Sequence, residues 1–309
     1  MTHFLTLVAL HPTEHVDEAL AAALAPFSEE KVVERYRVNE TGEAADFWMV
    51  SHLRGSGDLP TTGDLTWKQV AEAYNSHCNF HESDAERLLV DDDECAYLMS
   101  ERNPHSKWDG WRIGGRWQGH FPVTAGGSLA DPRLVRAEPI VYDSAGEPTW
   151  VDGGPRALLD FEALRTAAAT EATESYVQWA ALTDGLPTAE PWRTFSDRIS
   201  GSDYSLADAQ RDYRAQPVVE RTRADEDFRW LGRPVDAFAG GHDAFVRRAA
   251  LKAGLGGAYL DLSGEWHAPA SGRDLFGTSS ETAQHYEWVS AEMDALDPET
   301  VIVAVDCHI

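Results

Sequence analysis

The sequence predicts an α+β protein: a ferredoxin-like sheet core with helices on one face and a mostly helical insertion. Three observations lead to it. The first forty residues read strand, helix, strand; residues 155–255 read as successive helices; and the last fifty residues return to strand, helix, strand. The implied organisation is an N-terminal α+β portion over residues 1–154, a helical insertion over 155–255, and a C-terminal return to the sheet over 256–309.

Each element has its own local cause. Residues 3–10 (HFLTLVAL) are almost continuously apolar, the pattern of a strand buried on both faces. Pro12 ends it, and Thr13 is placed to cap a helix in which Val16, Leu20, Leu24 and Phe27 recur at helical spacing, with Glu14 in the first turn and Pro26 near the end. Residues 31–38 alternate like a second strand. From Asn39 to Asn103 the patterning weakens, with a loop at Gly55, Gly57, Pro60 and Gly63, a short helix over residues 67–74, and a solvated acidic run over 91–94. Residues 134–142 read as a strand, 143–146 as a turn and 149–151 as its return, together a hairpin. Asp160 caps a long alanine-rich helix reaching about Leu182, with Phe161, Leu164, Tyr176 and Trp179 along one stripe. Further helices are expected over 206–214 and 242–253, closed by Gly254, Gly256 and Gly257. A strand over 258–262, a turn over 263–265, a helix over 281–296 and a last strand over 301–307 complete the chain.

Composition narrows the function classes. The chain has 309 residues, with 26 basic against 52 acidic side chains and a net charge of −26. Such a surface repels a nucleic-acid backbone, so direct nucleic-acid binding is not expected. A basic protein partner is compatible with it, including the case of a DNA mimic. No apolar run is long enough for a membrane span, and MTHFLTLVALHP lacks a basic leader region and a small-residue cleavage site, so a cytoplasmic location is expected. Cys78, Cys95 and Cys307 are odd in number and widely spaced, which suggests reduced thiols rather than a disulfide framework.

The segment NPHSKWDGWRIGGRWQGHF, residues 103–121, is the most site-like. Trp108, Trp111 and Trp117 fall within ten residues, beside Lys107, Arg112 and Arg116, in a chain that is otherwise acidic. Gly114 and Gly115 permit positive φ and close backbone approach, Arg forks grip carboxylate or phosphate, and indole faces stack on planar groups. An anionic aromatic small molecule, phosphorylated or nucleotide-like, would satisfy all three. The competing reading is an aromatic-anchored turn, with Trp117 and Ile113 in the core and Arg112 paired with a surface carboxylate. The pattern is neither a Walker A loop nor a dinucleotide fingerprint.

The terminal VIVAVDCHI places Asp306 and His308 on one face of a strand and Cys307 on the other. An Asp/His pair serves acid/base catalysis or metal binding; alternatively the polar residues only meet water at a strand end. His11 would join them if the first and last strands were parallel, His3 if antiparallel. His77, Cys78 and His81 form an HCxxH pattern whose two imidazoles would share a helical face as in zinc sites, with no third ligand nearby. His11 and His15 have the same spacing but Pro12 interrupts them. No GxSxG and no recognisable catalytic cysteine is present, so covalent catalysis is not expected.

At NPHSKWDGWRIGGRW and VDCHI, and more briefly at Gly264–His267 (GEWH) and from Asp160 (DFEALR), the chain resembles an uncharacterised family that recurs in actinobacteria and their phages. Members commonly carry Trp-Tyr where this chain has Gly110 and Trp111, and follow the Trp-His stretch with an acidic residue and a Met-Gly-Trp run where it has APASGRDLFG. The resemblance carries no settled activity, and the cofactor is left unknown. The residues themselves suggest an enzyme or binding protein, a hydrolase or transferase for a phosphorylated small molecule, with Trp108, Trp111, Arg112, Arg116 and Trp117 around the pocket and Asp306 and His308 as acid/base groups. A non-catalytic acidic interaction protein and a metal protein are the alternatives.

Overall fold

The computed structural model describes residues 3–40, 42–81, 86–137, 150–199, 204–269 and 280–309. The chain divides into two compact units, one formed by residues 1–23 with 110–309 and the other by residues 24–109. In chain order the elements are β1 (His3–Leu10), α1 (Val16–Leu24), β2 (Tyr36–Asn39), α2 (Val50–Ser56), α3 (Trp67–His77), β3 (Leu88–Val90), β4 (Ala96–Ser100), β5 (Gly110–Ile113), β6 (Gly153–Pro155), α4 (Phe161–Leu182), α5 (Trp192–Ser196), α6 (Leu206–Arg214), α7 (Pro217–Ala224), α8 (Pro234–Ala237), α9 (Gly241–Lys252), β7 (Ala258–Leu260), β8 (Trp266–His267), α10 (Ser280–Ala295) and β9 (Val301–His308). Helices and mixed sheets together make the fold α+β.

In the larger unit the sheet runs β5-β9-β1-β7-β8, with β6 also pairing β9. β1 and β9 are antiparallel over their whole lengths, from His3 opposite His308 to Leu10 opposite Val301, while β7 runs parallel to β1. Leu5, Leu7, Ala9, Ile302, Ala304 and Tyr259 line one face, packed with Phe121, Phe161, Val289 and Met293. On the alternate positions Val8, Val303, Val305 and Cys307 are also fully buried. Burial on both faces is why β1 and β9 read as continuous apolar runs instead of alternating ones. The Asp160 side chain caps α4, accepting from Ala163 N–H at 2.9 Å, and α4 to α9 follow between β6 and β7, as the helical reading of residues 155–255 expects.

The expected ferredoxin-like opening does not form as one sheet. β2 covers only Tyr36–Asn39 and belongs to a separate antiparallel sheet, β2-β4-β3, in the smaller unit. The place beside β1 goes to β7 and β9, whose apolar side chains bury both faces of their strands. Residues 39–103, which read as irregular surface, instead hold their own core, in which Phe47, Leu53, Val70, Tyr74, Leu88 and Ala96 pack together. A capping box between Thr66 and Gln69 starts α3. The strands there span three to five residues, too short for an alternating pattern to register. Of the hairpin expected over residues 134–151, positions 138–149 lie outside the described residues; Val135 bridges Gly153. Among the described residues no helix is long and apolar enough to cross a membrane.

Candidate functional site

Two of the sequence-predicted segments meet on the large sheet. β5 pairs antiparallel with β9, setting Gly110 opposite His308, Trp111 opposite Cys307 and Arg112 opposite Asp306. Because β1 flanks β9 on its other side, His3 is also opposite His308. The antiparallel alternative is therefore the one realised, and His3 rather than His11 joins the pair.

Asp306 is almost wholly buried and fully engaged. Its Oδ1 lies 2.8 Å from His3 Nδ1, and its Oδ2 accepts the Arg116 backbone N–H at 3.0 Å. A carboxylate on Nδ1 favours the tautomer that donates there, which leaves His3 Nε2 as the free acid/base position. The His3 and His308 rings lie 5.2 Å apart, tilted by 44°. Gly110 makes room for the second imidazole, since a Cβ there would collide with the His308 ring.

The IGGRW loop is held by backbone geometry that only glycine adopts readily. Gly114 has φ 65° and ψ −66°, near the γ-turn region, and Gly115 follows with φ 54°. A Cβ on Gly115 would run into the Asp306 side chain, and one on Gly114 into Asp152. Asp152 is a second buried carboxylate, accepting the backbone N–H groups of Gly119 at 2.7 Å and Ala137 at 2.7 Å. Burial pushes its carboxyl above the ordinary range, against the pull of those two N–H groups and of nearby His120. His120 sits 3.0 Å from the Gly254 carbonyl through Nε2, and burial holds its imidazole below the usual histidine range. Two buried aspartates thus pin the two ends of one glycine loop. Asp152 follows directly on the expected strand over residues 149–151, and the sequence pattern does not mark it as a site residue.

The tryptophans divide. Adjacent residues on a strand point to opposite faces, so Trp111 shares the face of buried Cys307 while Arg112 shares that of Asp306. Trp117 packs against the hydrophobic core. Lys107 and Trp108 belong to the smaller unit, where Lys107 N–H donates to the Phe27 carbonyl at 2.8 Å and the Trp108 carbonyl accepts from Glu29 N–H at 2.8 Å. Within the larger unit, strand alternation thus puts Trp111 and Arg112 on opposite faces of β5. What remains around Asp306 is Arg112 and Arg116, both exposed and, among the described residues, without a carboxylate partner.

Cys307 is fully buried, and burial lifts its thiol to about 11, which keeps it protonated near neutral pH. In the smaller unit, α3 ends at His77, so His77 and His81 do not share a helical face. His77 instead meets His52, with Nε2 atoms 3.1 Å apart, and places Nδ1 2.8 Å from Asp58 Oδ2.

A third polar cluster went unread as a site. On the β7–β8 hairpin, Asp261, Glu265 and His267 bring ligand-type atoms within 4.8 Å of one another, the only such group among the described residues. Asp261 Oδ2 is 2.8 Å from His267 Nε2. Burial works to raise the Asp261 carboxyl, but His267 and the hydrogen bonds from Glu265 and Ser263 outweigh it and hold it below the carboxylate range. The alternation of Asp261, Ser263, Glu265 and His267 was the available signal. No family model, curated protein or solved structure matches this chain.

Proposed function

We infer that the chain is an acid/base enzyme acting on a small anionic substrate, by hydrolysis or group transfer at a phosphate-bearing molecule. The observation that carries this reading is the His3–Asp306 pair. A buried carboxylate, anchored by a backbone N–H from the glycine loop, orients a partly exposed imidazole with a second imidazole alongside. In this reading His3 removes or delivers the proton through Nε2, Asp306 holds it in the right tautomer and stabilises the imidazolium, and His308 is the complementary acid or base. Arg112 and Arg116 supply the local positive charge that draws an anion to an otherwise acidic protein. The aromatic part of the expected ligand loses support, because Trp111 and Arg112 alternate across the strand. The free thiols and the spread of carboxylates fit a reducing, aqueous compartment such as the cytoplasm.

Calorimetric titration with inorganic phosphate and with a nucleoside monophosphate tests the binding half of the reading. Saturable heat that disappears in Arg112→Ala and Arg116→Ala supports it. Absence of heat in the wild type counts against it and favours the interaction-protein alternative, in which the acidic surface meets a basic partner.

A further inference from the structure

The β7–β8 hairpin holds a second histidine–aspartate cluster, made of residues other than His3 and Asp306. β7 ends at Leu260 and β8 begins at Trp266, so residues 261–265 form the turn. Asp261 closes it with one oxygen only: Oδ1 accepts from Ser263 N–H at 2.9 Å, Ser263 O–H at 2.7 Å and Glu265 N–H at 2.9 Å. Its Oδ2 is left to point at His267. Alternation along the hairpin then brings the Glu265 carboxylate to the same place, giving one imidazole nitrogen and two carboxylate oxygens within 4.8 Å. Donors bound to one transition-metal dication at about 2.0–2.2 Å lie within this spread of one another.

A separate observation concerns Tyr259. Tyr259 is opposite His267 in the sheet, and their rings stack with centroids 6.0 Å apart. Its side chain is fully buried, yet among the described residues its hydroxyl has no hydrogen-bond partner. That hydroxyl is within electrostatic reach of Asp261 and Glu292. Buried hydroxyls are ordinarily hydrogen-bonded, and one left open on the strand that pairs with His267 fits a ligand-bound water. α10 flanks the cluster: the Trp288 ring lies 4.5 Å from the His267 ring, and half-buried His285 stands one turn earlier on the same helical face.

We propose that Asp261, Glu265 and His267 form a binding site for a transition-metal dication of the zinc or manganese class, with Tyr259 and His285 positioned around the open coordination positions. The imidazole selects against calcium and magnesium, which prefer all-oxygen sets. Metal would replace the present His267–Asp261 hydrogen bond, joining both groups through the ion.

The test is titration of the chelator-stripped full chain with Zn²⁺ by calorimetry and with Co²⁺ by visible absorption. The expected result is one equivalent bound, with His267→Gln and Glu265→Gln each weakening affinity about tenfold or more and His267→Gln abolishing the Co²⁺ d–d bands. Glu265 is exposed, so Glu265→Gln keeps the test open if the His267 variant misfolds. His77→Gln controls for the His52–His77 pair and should leave binding unchanged. Failure of the wild type to bind either ion at millimolar concentration, or binding lost only in His77→Gln, would overturn the assignment.

Discussion

The large sheet holds two histidine–aspartate pairs with the same 2.8 Å contact, and they differ in what occupies the aspartate's other oxygen. For Asp306 it is a backbone N–H from Arg116, 190 positions away. For Asp261 it is the turn on which Asp261 itself sits. The first aspartate side chain is 6% exposed and the second 17%, while both histidines are 20% exposed. One pair is therefore built by tertiary structure, welded to a glycine loop, and suited to fixing an imidazole in a single orientation. The other is a local hairpin device whose groups can rearrange around an ion. The two pairs share residue types and a 2.8 Å distance but not the ring nitrogen, Nδ1 in His3 and Nε2 in His267, and they differ again in the partner of the aspartate's second oxygen.

The largest expected effect comes from breaking the long-range clamp. Asp152→Ala leaves the part-buried N–H groups of Gly119 and Ala137 without acceptors, and an unpaired N–H costs up to about 1–3 kcal/mol where it is fully buried. Chemical denaturation should show that loss. Asp152→Asn should also destabilise, although it removes a carboxyl that burial disfavours, because an amide NH₂ cannot accept from an N–H. The hairpin pair should differ: Asp261→Asn keeps an oxygen for the turn N–H groups and is expected to cost no more than about 1 kcal/mol. A loss there as large as at Asp152 would mean that the local turn contributes as much as the long-range clamp on the glycine loop.

Next in size is the loop itself. Gly114→Ala and Gly115→Ala force a Cβ into the left-handed region and against a buried aspartate, at a cost of about 1–3 kcal/mol for the backbone alone. Gly264→Ala, in the hairpin turn, meets the same backbone strain but open space, so its cost should be smaller. Comparing thermal midpoints of the three variants checks this order.

The acid limb of stability sharpens the same contrast. His120 is held below its ordinary pKa by burial, so the unfolded chain binds its proton more readily than the folded one. Its contribution is fully present above the unfolded value of about 6.5 and is lost as pH falls from there through the lowered folded value. His120→Gln should flatten the decline of stability across that window. An unchanged slope would mean that the loop anchored at Gly254 tolerates a charged imidazole.

Much of the framework was readable from pattern. β1 and β9 are continuous apolar runs because both faces are buried, and Asp160 sits where a cap is needed. Gly114 and Gly115 were legible as backbone requirements, and Asp306 and His308 as one face. The smaller unit was not legible, because its strands are too short to establish a period and Tyr74, Phe47 and Leu88 come together only in three dimensions. Asp152 was hidden for a different reason: what it binds is backbone, and backbone partners leave no mark on sequence. The grouping of Trp111 with Arg112 failed on strand alternation, once residues 110–113 proved to be β5.

The smallest structural effect should be at Arg112. It is exposed and, among the described residues, unpaired, so Arg112→Ala should change stability by no more than about 0.5 kcal/mol while weakening anion binding. Thermal unfolding beside the phosphate titration separates the two.

The most direct test of the His3–Asp306 account is turnover of p-nitrophenyl phosphate and bis(p-nitrophenyl) phosphate by the wild type and by His3→Gln, measured across pH. The account predicts hydrolysis by the wild type and a fall of about 10²–10⁴-fold in kcat for His3→Gln, the usual contribution of a general acid/base, with the folded state intact. Equal rates in the two proteins, or no turnover by either, would contradict it.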